Sequence, residues 1–223
     1  MDKYELFKKA LANNAKLKAY NQEELITIGH IFGSEHNAFQ EICKAYLTKK
    51  TSYRNDPMIG AKVEIEFNWR QEEVLVKQLD ISLVFNLTTF PTFLNLIDIC
   101  FSDVHPVGSV VELDIDLLPE QVKAMYADSK PLASISGRKF WFGNDFACYS
   151  DYVGRFWPFG EDHSTPLYLA NVMIKRVVFT GMVDDTEEKF VAKVLRSDII
   201  DQKSKSIVFL TDGEKEEMYQ HQL

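Results

Sequence analysis

Apolar residues along the first third of the chain change their spacing twice, and each change marks a change of element. Leu6, Phe7, Ala10, Leu11 and Leu17 recur at helical intervals, with Lys8, Lys9 and Lys16 on the other side, which predicts an amphipathic helix. Asn21 stands three residues before Glu24, a capping-box spacing, ahead of Leu25, Ile26, Ile28 and Ile31; Ser34 is placed to cap a third helix carrying Phe39, Ile42, Cys43 and Tyr46. Residues 48–60, TKKTSYRNDPMIG, hold turn formers and charge without a period and read as a connection. From Lys62 to Leu87 the period falls to two. Val63, Ile65, Phe67 and Trp69 alternate with polar residues, and Val74, Val76, Leu79, Ile81 and Leu83 predict returning strands of a meander or hairpin. The apolar run from Phe93 to Phe101 fits a short helix or a buried strand equally well. His105-Pro106 sets the internal boundary, separating a helical and β-meander region (1–104) from a small α+β domain (105–223).

Beyond that boundary Val111, Leu113, Ile115 and Leu117 alternate with Glu112, Asp114 and Asp116, the pattern of a strand with one wet face. Pro119 suits the first turn of a short helix through Tyr126. Lys130–Phe142 and Asp145–Phe156 read as strands around a Gly143-Asn144-Asp145 turn, with short additions at 168–169 and 175–180. Asp185 is placed to cap a helix, with Glu188 three residues on and an apolar stripe of Phe190, Val191, Val194 and Leu195. Ser206–Leu210 is the last predicted strand, followed by a tail that is either frayed or a solvated helix. The fold class is therefore α+β: an N-terminal helical cluster with antiparallel strands, then a small sheet-rich domain closed by a C-terminal helix.

One run changes this picture from a fold to a function. Nine aromatic residues fall between Phe140 and Phe159. At roughly 150–250 Å² per ring they represent on the order of 1,500–2,000 Å², whereas a monomer exposes a patch of only about 300–600 Å². Most of these rings must be core, with Tyr149 and Tyr152 read as structural, and the surplus forms a face for a partner. Trp, Tyr and Arg dominate such faces, so Trp141, Arg155, Phe156, Trp157 and Phe159 are the predicted partner-binding residues.

Composition narrows the partner. With 46% apolar residues in 223, the chain can bury a full core. Its net charge is −8, and the acidic excess lies after residue 56. An acidic body opposes the phosphate neutralisation that nucleic-acid binding depends on. Cys43, Cys100 and Cys148 are widely spaced with no C-x-x-C pair, and read as buried thiols. The N-terminus shows no apolar leader core, and no stretch approaches a membrane span, so the expected location is the cytoplasm.

Candidate chemistry is sparse. Asp114 and Asp116, two apart on a predicted strand, share a face and are a possible cation pair, although an exposed sheet face explains the same spacing. Ser134-Ile135-Ser136-Gly137-Arg138-Lys139 gathers hydroxyls and cations that suit a weak anion site, with Arg138 the chief participant. Glu161, Asp162 and His163 place a histidine beside carboxylates, the makings of a general base. His30 and His36 lie near helix ends, where packing or capping is the usual role. No nucleophile elbow, H-E-x-x-H or Walker spacing occurs. No cofactor, metal site or catalytic residue is therefore expected.

Four strings occur in order: PVGSVVELD (106–114), PLASISGRK (131–139), SDYVGRFWPFG (150–160) and IKRVVFTGMVDDTEEKFV (174–191). Together they resemble the bacterial domain of unknown function numbered 4176, over residues of about 106–196. Members are commonly encoded beside LXG-type toxins of type VII secretion loci. The resemblance implies a non-catalytic accessory protein, a chaperone or adaptor, whose partner is an LXG-type toxin; it implies no catalytic residues. An immunity protein against such a toxin is one alternative, and a hydrolase or metal-dependent enzyme using His163 is another. A homodimer is compatible with each.

Overall fold

The computed structural model of the protein describes residues 2–55, 62–143, 147–160 and 165–220, with residues 219 and 220 described by their backbone only. These residues divide into two compact units, Met1–Ser102 and Asp103–Leu223.

In the first unit, helices α1 (Lys3–Asn13), α2 (Gln22–Ser34) and α3 (His36–Leu47) precede a four-stranded antiparallel sheet of β1 (Ser52–Asn55), β2 (Val63–Asn68), β3 (Glu73–Gln78) and β4 (Ile81–Asn86) in sequence order. The predicted stripe of α1 is the buried one: Leu6, Phe7, Ala10 and Leu11 face inward. Asn21 caps α2 as its spacing demands, its side chain accepting from the backbone N–H groups of Glu23 and Glu24. Ser34 does not cap α3; it is the last residue of α2, and its hydroxyl bonds back to the Ile31 carbonyl. The aperiodic segment after α3 also begins differently from its reading, because residues 52–55 pair with 63–66 as an edge strand.

The ambiguous apolar run is helix α4 (Phe90–Phe101), with Pro91 in its first turn and every residue from Phe90 to Cys100 buried. A helix that is apolar all round has to be enclosed. Phe93 meets Phe7 of α1, Phe32 of α2 and Phe85 of β4 at centroid distances of 6.3, 6.4 and 5.2 Å, while Phe90 meets Phe67 of β2 at 6.0 Å. Each fully buried ring of this kind stabilises the unit by about 1.5–3 kcal/mol. The α1–α2–α4 contact is close because α2 has glycines there: a Cβ on Gly29 would strike the Phe7 ring, and one on Gly33 the Phe101 ring.

The second unit is built on a six-stranded sheet of β5 (Val110–Leu113), β6 (Leu132–Phe142), β7 (Cys148–Phe156), β8 (Leu167–Leu169), β9 (Ile174–Phe179) and β10 (Lys205–Ser206). Its order is β10-β7-β6-β5-β9, and β8 also pairs with β7. The long β6–β7 hairpin is the spine, running from Ala133↔Phe156 at one end to Phe142↔Cys148 at the other. β10 lies parallel to β7, whereas the other pairings are antiparallel. Val111, Leu113, Ala133, Ile135, Tyr152, Leu169 and Ile174 form the core beneath the sheet. Gly154 permits the closest β6–β7 approach, since a Cβ there would lie 2.5 Å from the Ser134 carbonyl oxygen.

Strand β5 is shorter than its alternation suggests. It ends at Leu113, and Asp114 instead caps a short 3₁₀ turn (Ile115–Leu117) by accepting from the Asp116 N–H at 3.0 Å. Helix α5 (Glu120–Met125) follows Pro119. Helix α6 (Asp185–Phe190) is capped by Asp184, one residue before the predicted cap, and continues through a π turn (Val191–Leu195) into α7 (Arg196–Asp201). The predicted strand at 206–210 is mostly a 3₁₀ turn at Ile207–Phe209; only Lys205 and Ser206 join the sheet. The tail is helix α8 (Asp212–Gln220), opened by a reciprocal Thr211–Glu214 capping box with bonds of 2.8 and 3.3 Å.

Candidate protein-binding surface

The aromatic run divides by burial. Tyr149 and Tyr152, on successive faces of β7, are sealed from solvent, because β7 is covered on both sides and flanked by β6, β8 and β10. Trp157 and Phe159, in the turn after β7, are 52% and 57% exposed. Their backbone is nonetheless fixed: the Trp157 N–H donates to the Leu132 carbonyl at 2.9 Å and the Phe159 N–H to the Phe156 carbonyl at 3.0 Å. Phe156 is half-buried, its ring 5.1 Å from that of Tyr126. Arg155, also half-buried, lies opposite Ser134.

Trp141 does not join them. It pairs with Tyr149 near the far end of the hairpin, eight residues along β6 from the partner of Phe156, a separation of roughly 25 Å along an extended strand. Its indole is half-buried and Nε1 donates to the Ser204 hydroxyl at 3.4 Å. The five predicted residues thus form one local group of four, 155–159, and one distant ring.

A second cluster of rings went unread in the sequence. Phe140, Phe142 and Tyr168 meet at centroid distances of 5.3, 5.4 and 5.0 Å, with Phe140 and Tyr168 exposed. The i, i+2 spacing of Phe140 and Phe142 is a signal for a shared strand face, but nothing local in the sequence announces Tyr168 as their neighbour.

The weak anion site resolves into internal pairing. Arg138 forks onto both carboxylate oxygens of Glu187 in α6, with the Phe190 ring 5.8 Å away. The hydroxyls of Ser134 and Ser136 donate to the carbonyls of Arg155 and Val153 across the hairpin. Asp114 is engaged as a cap and Asp116 is exposed, so the strand face that would pair their carboxylates does not form. Glu161, Asp162 and His163 lie outside the described residues, as do Asp145 and Phe146. His105 stacks on Tyr152 at 5.8 Å, and His30 packs edge-on between Tyr4 and Phe101.

Beneath the surface runs a polar cluster that sequence reading also missed. Lys139, in left-handed backbone geometry (φ 49°), turns inward and donates to Asp151 Oδ1 at 2.6 Å. Its ammonium also sits 4.7 Å from the Tyr149 ring centre. Asp151 Oδ2 accepts from the Ser206 hydroxyl at 2.8 Å and the Asn171 N–H at 3.2 Å. Asn171 continues the chain of bonds, its Oδ1 accepting from the Tyr152 hydroxyl at 2.7 Å and its Nδ2 donating to the Asp103 carbonyl. Every side chain in this cluster is buried. It therefore joins β6, β7, the turn after β8 and β10 without offering an external substrate a way in.

At the other side of the sheet Glu112 is buried yet surrounded by Arg176, Lys175 and Lys130 at 2.7, 3.3 and 3.9 Å. Burial opposes its ionisation, but hydrogen bonds from Arg176 and Lys175 outweigh that and hold its carboxyl below the ordinary value. Burial, with the Asp98 carboxylate adding to it, pushes the Cys43 thiol well up, and the three cysteines are buried and form no disulfide. Among the described residues no group of three or more His, Cys, Asp or Glu side chains is placed to hold a metal ion, and no helix is long and apolar enough to cross a membrane.

No curated protein and no solved structure matches the chain. Residues 104–190, from the loop before β5 to the end of α6, match the family described as a domain of unknown function (DUF4176), so the resemblance carried by the four ordered strings is shown for that segment.

Proposed function

We propose that this protein is a non-catalytic binding factor, a chaperone or adaptor acting in the cytoplasm on a secreted toxin of its own locus, of the LXG type. The observation that carries the reading is the pair of exposed rings, Trp157 and Phe159, held on a turn whose backbone is pinned to β6. Large rings in water on a rigid element lose little conformational entropy on binding, which is what an interface hot spot requires. Arg155 and Phe156 flank them and complete the local group. The match of residues 104–190 to a domain of unknown function is compatible with the toxin-locus context, which is itself part of the proposal.

The test is capture from the native host with the full chain as bait, against Trp157→Ala and Phe159→Ala. Because both rings are exposed, circular dichroism of the variants should be unchanged, while recovery of a stoichiometric partner should fall by at least about tenfold, the usual effect of a hot-spot loss. Equal recovery by wild type and the double variant refutes this surface.

A further inference from the structure

The edge of a sheet can take on another strand, and chains guard against this with short edge strands, charge, bulges or proline. Among the described strands, the other edges carry at least one such device. β1 has four residues and includes Arg54, β8 and β10 have three and two, and β9 holds Lys175 and Arg176 and shifts register twice against β5. β4 carries none. Its six residues hold no charge and no proline, and they pair with β3 without a register shift. The ladder also shows which backbone groups of β4 are unused. The Leu87 N–H donates to the Glu72 carbonyl at 3.1 Å, continuing the register Glu73↔Asn86, so odd-numbered residues turn their N–H and C=O groups to β3 and even-numbered ones turn them outward. Asn86 is engaged, since its N–H donates to the Thr89 hydroxyl and its carbonyl accepts from the Thr89 N–H, both at 3.2 Å. Ser82 and Val84 keep two donors and two acceptors with no partner among the described residues, and both residues are exposed.

These four groups match themselves. A two-fold axis perpendicular to the sheet and centred on Leu83 sets Ser82 of each copy opposite Val84 of the other, so that every unused donor meets an unused acceptor while buried and exposed faces stay in line. Centring on Val84 or Phe85 would instead demand the groups of Asn86 that Thr89 already holds. The strands bring no charge to one another, and Asp80, in the preceding turn, falls opposite the neutral Asn86. The same register explains Leu79, which is 80% exposed and in left-handed backbone geometry (φ 50°) that an L side chain adopts only at a cost. It comes level with the half-buried Leu87 of the second copy. We infer that β4 is a homodimer edge, where two copies join their four-stranded sheets through an antiparallel β4–β4 pair centred on Leu83. This edge belongs to the first unit, and it does not depend on the surface assigned to Trp157 and Phe159.

Sedimentation equilibrium of the full chain should show a reversible dimer with a Kd on the order of 10 μM, because a contact one strand wide buries less than the roughly 1,200 Å² of a stable interface. Val84→Pro removes an outward N–H and spares the ladder to β3, so it should weaken self-association at least about tenfold with an unchanged circular dichroism spectrum. Cross-linking supplies a test that does not depend on that variant folding well. The three natural cysteines are buried, and an equimolar mixture of full-length Ser82→Cys and Val84→Cys should form a covalent dimer on mild oxidation, since opposed Cα atoms lie about 5.5 Å apart. Either variant alone should not, because its own pair is about 8–9 Å apart, beyond the reach of a disulfide. A dimer unaffected by Val84→Pro, or a mixture that cross-links no faster than its components, overturns the proposal. A wild-type chain that stays monomeric at about 100 μM overturns it as well, even where a different protein from host lysate then binds along β4.

Discussion

Removing the Lys139 ammonium while leaving Asp151 in place should cost the second unit more than any exposed ion pair could. The two side chains are 5% and 0% exposed and 2.6 Å apart, so Lys139→Met strands a carboxylate where water cannot reach it. Breaking a buried pair from one side costs about 3–5 kcal/mol. Asp151 keeps two donors, the Ser206 hydroxyl and the Asn171 N–H, which places the expected loss near the lower end, about 3 kcal/mol. Adding Asp151→Asn removes the orphaned charge and retains an acceptor for one of those donors, so the double variant should recover a large part of the loss, with a coupling of at least about 2 kcal/mol. Urea denaturation followed by fluorescence of Trp141 and Trp157, in a Trp69→Phe background, reports on this unit alone. A Lys139→Met loss under about 1 kcal/mol, the value of a solvated pair, or a double variant no more stable than Lys139→Met, refutes the argument.

Glu112 makes stability depend on pH. Its folded carboxyl is held below the ordinary value of 4.5, so its contribution is fully present above that pH and is lost as pH falls through the lower folded value. Glu112→Gln should flatten the acid limb of a stability–pH curve while retaining shape; an unchanged limb counts against the three-cation pairing. In the first unit, Gly33→Ala adds a methyl group against Cβ, Cγ and Cδ2 of Phe101, the root of the ring, which cannot pivot clear. Overpacking of about 1–3 kcal/mol should exceed the gain in helix propensity of about 1 kcal/mol, and a lower melting temperature checks it. Gly29→Ala meets the tip of Phe7 and should cost less.

The legible parts of the fold were those fixed by local periodicity and caps. Alternation at 63–69 gave β2 and the meander, and the Asn21–Glu24 spacing gave the start of α2. Features that depend on long-range closure were not legible. Lys139 reads as one of the cations of a weak anion site, and only the turn of its backbone and the arrival of Ser206 from 55 residues beyond Asp151 make it a core residue. Asp114 and Asp116 read as strand positions because side-chain capping of a 3₁₀ turn leaves the apolar alternation intact. Trp141 and Trp157 read as one surface because nearness in sequence hides the length of the hairpin between them. Exposure of Phe190 was masked by a stripe whose period is correct for a buried helix, yet only Leu195 of that stripe is buried.

The family match ends at residue 190, but the pairing of the hairpin spine is completed only beyond it. Ser206 and the short strand β10 arrive later, one satisfying Asp151 and the other covering the outer margin of β7 at Cys148 and Tyr149. A fragment cut at the limit of recognisable kinship would therefore bare an unpaired strand margin and deprive an interior carboxylate of one of its donors. The matched segment and the compact unit have different ends, and expression of this domain should follow the second, Asp103–Leu223.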